Sequence, residues 1–211
     1  MLEPGETLQG RYTVDQILGQ GGRGIVYLAR QDLLGGRRVA IKETHFEFVM
    51  PEEQTEAVAQ FQREARLLAS LEHKNLVDVK DFFEENGNLY LVMDFVEGET
   101  LEEILERNNG SPANLDEVFL WADQICDVLD CLHRHKPPII FRDLKPGNIM
   151  LDKNGNVRLI DFGIARVLEP DSRDLTERAG TVGYAPYEQH AGKTPDARTD
   201  IYALGATLYD L

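Results

Sequence analysis

Apolar and polar positions alternate through Arg11–Leu18 and again through Ile25–Arg30, the period of strands with one buried face. Between them the glycine-rich stretch Gly19–Gly24 reads as a turn. Gly35-Gly36 marks a hairpin into a further strand over Arg38–Glu43. At Pro51 the period changes. Proline at a first helical turn, followed by Glu52 and Glu53 at the positive dipole end, opens a helix whose apolar face is Val58, Phe61, Ala65 and Leu68. Two more strands follow, Leu76–Glu84 and Asn88–Phe95, joined by a turn at Glu85-Asn86-Gly87. Beyond Gly98 the pattern is helical, with a short helix over Thr100–Arg107. A longer one is opened by Asn114 and Glu117 at capping-box spacing. Its stripe is Leu115, Val118, Ala122, Ile125, Leu129 and Leu132. Strands first and helices afterwards predict an α+β protein with two segregated lobes. A small β-rich lobe with one helix covers residues 1–96, and a helical lobe covers 97–211, joined near Asp94–Gly98.

Composition narrows the field without choosing within it. The 211 residues, 42% hydrophobic and 28% charged, suit one large domain or two small lobes sharing a cleft. Against 22 basic residues stand 37 acidic ones, a net charge of −15. That balance argues against a nucleic-acid or anionic-membrane surface and is compatible with basic partners. No apolar run approaches the ~18 residues of a membrane helix, and Met1–Gly10 lacks the basic start and apolar stretch of a secretory signal. A cytoplasmic segment without membrane contact is expected. Cys126 and Cys131, five apart in a helical pattern, point in different directions and are expected to be unpaired helix-packing residues in a reducing compartment.

Three constellations carry candidate chemistry. Gly19-Gln-Gly21-Gly-Arg-Gly24 lies between two strands, where glycines let backbone N–H groups approach phosphate oxygens. Alone the pattern also fits a dinucleotide-binding loop or a plain hairpin. Ile25-Val26-Tyr27-Leu28 continues as a strand rather than a helix, which favours a flap over phosphates. Val39-Ala40-Ile41-Lys42 ends a strand with a lysine in an apolar run, which calls for an acidic partner, and Glu64 is the best placed. The third is Phe141-Arg142-Asp143-Leu144-Lys145-Pro146-Gly147-Asn148, followed after a turn at Asn154-Gly155 by Asp161-Phe162-Gly163. Asp143 could accept or orient a hydroxyl proton, and Lys145 could balance charge on a migrating phosphoryl group. Asn148 and Asp161 offer the hard oxygens that magnesium takes beside phosphate oxygens.

Together these motifs resemble the eukaryotic-type protein kinase signature. The wording GQGGRGIVYLAR over Gly19–Arg30 is similar to bacterial, Hanks-type Ser/Thr kinases. The resemblance covers nearly the whole chain. It implies catalytic roles for Asp143, Lys145, Lys42 and Glu64, and a metal site at Asn148 and Asp161 for Mg2+, with Mn2+ as the alternative ion. The ATP-binding set it implies is Leu18, Gly19, Gly21, Gly24, Val26, Ala40, Lys42, Met93, Asp94, Val96 and Met150. Within it Val26, Ala40 and Met150 flank the adenine, Met93 guards the back of its pocket, and backbone groups of Asp94 and Val96 bond the base. Lys145 two residues after Asp143, and Gly180-Thr181-Val-Gly-Tyr184, resemble the Ser/Thr-specific pattern, so protein substrates bearing serine or threonine are implied. Arg142 beside Asp143 resembles kinases whose activation loop is ordered by phosphorylation. Thr176 is the first candidate for autophosphorylation, Ser172 is a second, and Thr181 is expected to serve the site directly.

Three departures from the family pattern stand out. Phe141 replaces the usual histidine and is expected to stack under Phe162 with Leu68 and Val79. Ala185-Pro186-Tyr187-Glu188 replaces Ala-Pro-Glu. The chain ends at Leu211 inside the helix that begins near Asp200, so a C-terminally truncated catalytic domain is expected. Besides an active kinase, the sequence leaves open a catalytically impaired nucleotide-binding module with an incomplete large lobe. A small-molecule phosphotransferase stands third, opposed by the peptide-seating stretch Gly180–Glu188.

Overall fold

The computed structural model describes residues 1–21, 24–44, 51–161, 181–190 and 195–211. Phe162, Gly163, Ser172, Thr176 and Gly180 lie outside the described residues, as does the side chain of Glu188. The chain groups into two compact units, Met1–Glu72 with Val77–Phe95, and His73–Leu76 with Val96–Leu211.

The first unit is a six-stranded antiparallel sheet. Its strands are β1 (Thr7–Leu8), β2 (Tyr12–Gly21), β3 (Gly24–Gln31), β4 (Arg37–Thr44), β5 (Val79–Glu85) and β6 (Asn88–Asp94), in the order β1-β2-β3-β4-β6-β5. Alternation sets its faces: Tyr12, Val14, Tyr27, Ala29, Ile41, Tyr90 and Val92 are buried, with Phe83 packed against them. A buried carboxylate, Glu43, sits among these apolar groups because its oxygens are saturated. It accepts from Tyr27 Oη at 2.5 Å, Tyr90 Oη at 3.0 Å and Asn88 Nδ2 at 2.8 Å. Burial, then the bond to Glu43, pushes the Tyr27 phenol up to about 12. Asn86 and Gly87 both have positive φ, 52° and 79°, which is why Asn-Gly joins β5 to β6. Helix α1 (Pro51–Ala69) buries Phe61, Ala65 and Leu68, with Phe61 edge-on to Phe82.

Two strand expectations need correction. The glycine stretch does not turn at Gly19: β2 stays paired with β3 out to Gly21 opposite Gly24. Open space around Gly19 and Gly21 lets the extended backbone continue. At the other end β5 begins at Val79, not Leu76. Leu76 instead forms a parallel bridge to Leu159 in the second unit.

The second unit begins with β7 (Gly98–Thr100), α2 (Leu101–Arg107) and α3 (Leu115–Arg134). A hairpin of β8 (Ile149–Asp152) and β9 (Val157–Leu159) follows, then the short helix α4 (Tyr187–His190) and α5 (Ala197–Asp210). β7 pairs with β8 so closely that a Cβ on Gly98 would lie 1.8 Å from the Leu151 carbonyl oxygen. Thr100 and Glu103 cap α2 reciprocally. Asn114 caps α3 through the Asp116 N–H at 2.8 Å rather than in a box with Glu117.

Helix α3 also corrects its expected stripe. Trp121, Ile125, Val128, Leu129 and Leu132 are buried, each worth about 1.5–3 kcal/mol, while Leu115 at 65% remains exposed. Of the expected stripe Ile125, Leu129 and Leu132 are buried, and Trp121 and Val128 join them. Cys126 and Cys131 are free and exposed, not packed. No helix among the described residues is long and apolar enough to cross a membrane.

Candidate active site

In the first unit, strand register gathers four of the expected nucleotide-binding residues on one face. Lys42 on β4 stands opposite Val26 on β3 and Leu91 on β6, and Ala40 stands opposite Leu28 and Met93. Directly paired residues share a face, and so do positions two apart, so Val26, Ala40, Lys42 and Met93 look the same way. Glu43, one residue on, looks the other way into its tyrosines. Lys42 is only 6% exposed, an ammonium held in an apolar sheet centre. Glu64 is likewise buried, on the same stripe of α1 as Phe61, Ala65 and Leu68, and its Oε1 accepts from Gln60 Nε2 at 3.0 Å. A buried amine and a buried acid in one small unit each require compensation.

Gly24 has φ +128°, and a Cβ there would fall 2.0 Å from the Glu43 carbonyl oxygen, so the strand after the glycine loop can approach β4 only as glycine. Leu18 is exposed at the start of the loop. At the end of β6, the Asp94 N–H donates to the Asp78 carbonyl at 3.0 Å, so a base could use only the Asp94 carbonyl. The Asp94 side chain is held by Arg37 at 2.7 Å and Lys80 at 3.1 Å.

The second unit holds the remaining candidates, and here the geometry is dense. Asp143 is buried, with each carboxylate oxygen occupied. Thr181 Oγ1 donates to Oδ1 at 3.0 Å, and Asn148 Nδ2 donates to Oδ2 at 3.0 Å and to the Asp143 carbonyl at 2.7 Å. Asn148 closes a 3-10 turn, Pro146–Asn148, that begins at Lys145. Its amide nitrogen is committed to Asp143, so its carbonyl oxygen is the end left to serve as a hard donor. Asp161 follows Ile160, whose N–H donates to the Asn148 backbone carbonyl at 3.1 Å. Two oxygen-bearing side chains are thereby tethered within a residue of each other, a donor set that fits magnesium. The Lys145 ammonium makes no ion pair among the described residues. Met150 lies on β8 opposite Thr100.

Sequence reasoning passed over what holds this loop. Arg142, a non-glycine residue, has φ +66°. Its N–H and that of Phe141 both donate to Asp200, at 2.8 and 2.9 Å, and His133 Nε2 donates to the same carboxylate at 2.7 Å. Asp200 is fully buried on α5. From the other side Gln189 Nε2 donates to the Arg142 carbonyl at 3.1 Å. The available signal was an aspartate directly before the apolar residues 201–204. Tyr184, in the stretch expected to seat a peptide, donates its hydroxyl to Asp210, and burial followed by that bond pushes its phenol up.

The family model for the protein kinase domain matches residues 12–211. The chain is 38% identical over 208 residues to serine/threonine-protein kinase PrkC of Bacillus subtilis, covering 98% of this chain and 31% of that one. It is 40% identical over 211 residues to serine/threonine-protein kinase PknB of Mycolicibacterium smegmatis, covering 97% and 32%. The chain therefore spans about a third of the length of these relatives. Among solved structures, PpkA-294 in its apo form matches with a TM-score of 0.79 and 29% identity, covering 99% of this chain and 77% of that one.

Proposed function

This chain belongs to the protein kinase family, and from that premise we propose that it is a Ser/Thr protein kinase segment that transfers the γ-phosphoryl group of ATP to protein hydroxyls. The observation that carries the reading is the Asp143 carboxylate, buried and aimed by Thr181 on one oxygen and Asn148 on the other. A carboxylate held so firmly, two residues before Lys145, whose ammonium makes no ion pair among the described residues, suits a group that orients a hydroxyl for in-line attack. Residues 1–96 and 97–211 serve as the two lobes. Val26, Ala40 and Met93 flank the base, Lys42 anchors phosphates with Glu64, and the glycines of the β2–β3 loop cover them. Asn148 and Asp161 hold the divalent ion, magnesium before manganese, which when bound neutralises charge on the phosphates. Autophosphorylation falls on Thr176 first, with Ser172 second.

The test is transfer of label from Mg-ATP to a generic basic protein, beside an Asp143→Asn control. Transfer that the control lowers about 10²–10⁴-fold supports the reading. Nucleotide binding without transfer refutes it in favour of a nucleotide-binding module. Phosphopeptide mapping that finds no modification at Thr176 discards the autophosphorylation site.

A further inference from the structure

The catalytic loop carries a contact that the proposed roles do not use. Gln189 is 5% exposed, and its side chain reaches back to the loop, where Nε2 donates to the Arg142 carbonyl at 3.1 Å. Resting on the kinase reading above, we propose that Gln189 is a positioning residue for Asp143, acting through the Arg142–Asp143 peptide.

The Arg142 carbonyl belongs to the same peptide plane as the Asp143 N–H, so whatever fixes that oxygen fixes the direction in which Asp143 leaves the loop. The plane on the other side of Arg142 is fixed separately, by the donation of its N–H to Asp200 at 2.8 Å. Both planes must be held, because Arg142 sits at φ +66°, a region that a residue with a side chain keeps only where its surroundings over-determine it. Thr181 and Asn148 hold the far end of Asp143, and Asp200 holds the plane before Arg142, which leaves rotation about the Arg142 Cα–C bond to be restrained between them. Gln189 closes that rotation.

Two further observations separate this role from ordinary packing. The Gln189 Oε1 atom is buried and has no partner among the described residues, a penalty that a methionine of similar shape would avoid. For stability alone glutamine is a poor choice there, so its donor is what the site gains. The same short stretch also meets the loop a second time. Thr181 donates to Asp143 Oδ1, the N–H groups of Tyr184 and Ala185 both return to the Thr181 carbonyl, and Gln189 N donates to the Pro186 carbonyl. Residues 181–189 therefore grip Asp143 at its carboxylate through Thr181 and at its preceding peptide through Gln189. Seating this stretch and aiming the aspartate become one event.

The experiment compares Gln189→Met with the unaltered chain by steady-state kinetics, thermal unfolding and amide hydrogen exchange of the peptide covering residues 139–144. The expected result is a kcat lower by about 10–100-fold, the scale of a small misplacement of a reacting group. KM values for ATP and peptide should stay within about twofold, since no group that contacts either is removed. The thermal midpoint should stay within about 2 °C, since a lost bond is offset by a removed orphan acceptor, and exchange at 139–144 should quicken. A kcat within twofold of the unaltered chain overturns the proposal, as does a parallel fall of kcat, both affinities and the thermal midpoint, which marks a packing residue. Should the unaltered chain transfer no phosphate, the kinase reading fails by itself. The exchange data then decide alone: faster exchange at 139–144 in the variant supports the positioning role, and unchanged exchange overturns it.

Discussion

Replacing Asp200 by alanine isolates the anchor on which the loop that carries Asp143 turns. The carboxylate is fully buried and accepts three hydrogen bonds, from Phe141 N at 2.9 Å, Arg142 N at 2.8 Å and His133 Nε2 at 2.7 Å. Bonds to a charged acceptor are worth roughly 1.5–3 kcal/mol each, but their donors regain part of that wherever water can reach them. Phe141 is buried and Arg142 only partly exposed, so the two amides regain little. His133, with its side chain 15% exposed, regains more. Removing one partner from a buried charged cluster typically costs about 3–5 kcal/mol, and the two orphaned amides put Asp200→Ala at the upper part of that range. Against the about 5–15 kcal/mol that holds a domain together, such a loss is visible in any equilibrium unfolding curve.

Trp121 makes the measurement local. It is the single tryptophan of the chain and is buried on α3, in the same unit as Asp200. Its fluorescence during urea unfolding reports the unit that contains the altered anchor. Asp200→Asn keeps one acceptor oxygen but turns an NH2 group toward a second donor, so it should lose about 2–4 kcal/mol. The ordering alanine, then asparagine, then wild type is the signature of an acceptor role. A loss below about 1 kcal/mol for alanine, or an asparagine variant as stable as wild type, refutes the reasoning, because then the three contacts do not carry the loop.

Other outcomes follow from the same kind of argument. Gly24→Ala should destabilise the first unit by at least about 2 kcal/mol, since the residue sits at φ +128° with its Cβ 2.0 Å from a backbone oxygen; a urea midpoint equal to wild type refutes this. Glu43→Leu should cost about 2–4 kcal/mol by removing the buried acceptor shared by Tyr27, Tyr90 and Asn88, and urea titration followed by tyrosine absorbance checks it. The phenols of Tyr12 and Tyr27 are held up at about 12, above the value near 10 of an unfolded chain. The folded state thus binds more protons between those limits, and stability should be full below pH ~10 and fall as pH rises toward ~12. Unfolding followed against pH should show Tyr27→Phe flattening that decline, and an unchanged slope counts against the buried phenol. Cys126 is exposed as a residue, yet partial desolvation of its thiol and then Asp123 push the thiol up, so it should alkylate with a midpoint above that of a free thiol, as mass spectrometry across pH would read.

The sequence made the elements legible wherever one local rule governed. Hydrophobic period placed the long strands and helices, and Asn86-Gly87 placed its hairpin. Register then put Val26, Ala40, Lys42 and Met93 on one face without further information. Where two segments had to meet, local rules failed. Leu76 belongs to a strand pattern but pairs with Leu159, eighty-three residues away. Leu115 satisfies a helical stripe but is exposed, while Trp121 is buried. Cys126 and Cys131 follow an apolar pattern on a helix whose buried face lies elsewhere.

The same distinction accounts for Phe141, where the family usually places histidine. A motif is read as side chains, and on that reading losing the imidazole threatens the site. The structure ties this residue to its anchor through the backbone: the Phe141 N–H, not a ring atom, donates to Asp200. Any side chain that tolerates burial can occupy such a position, and phenylalanine at 3% exposure does so at no cost in polar groups. An imidazole does reach the same carboxylate, but it comes from His133 on α3, eight residues earlier. The residues that aim the loop are therefore Asp200, His133, Gln189 and Thr181, drawn from three separate stretches of chain. Thr181 stands out already in its motif, but Asp200, His133 and Gln189 are ordinary polar residues in their own stretches, and their convergence on Phe141–Asp143 reveals what they do.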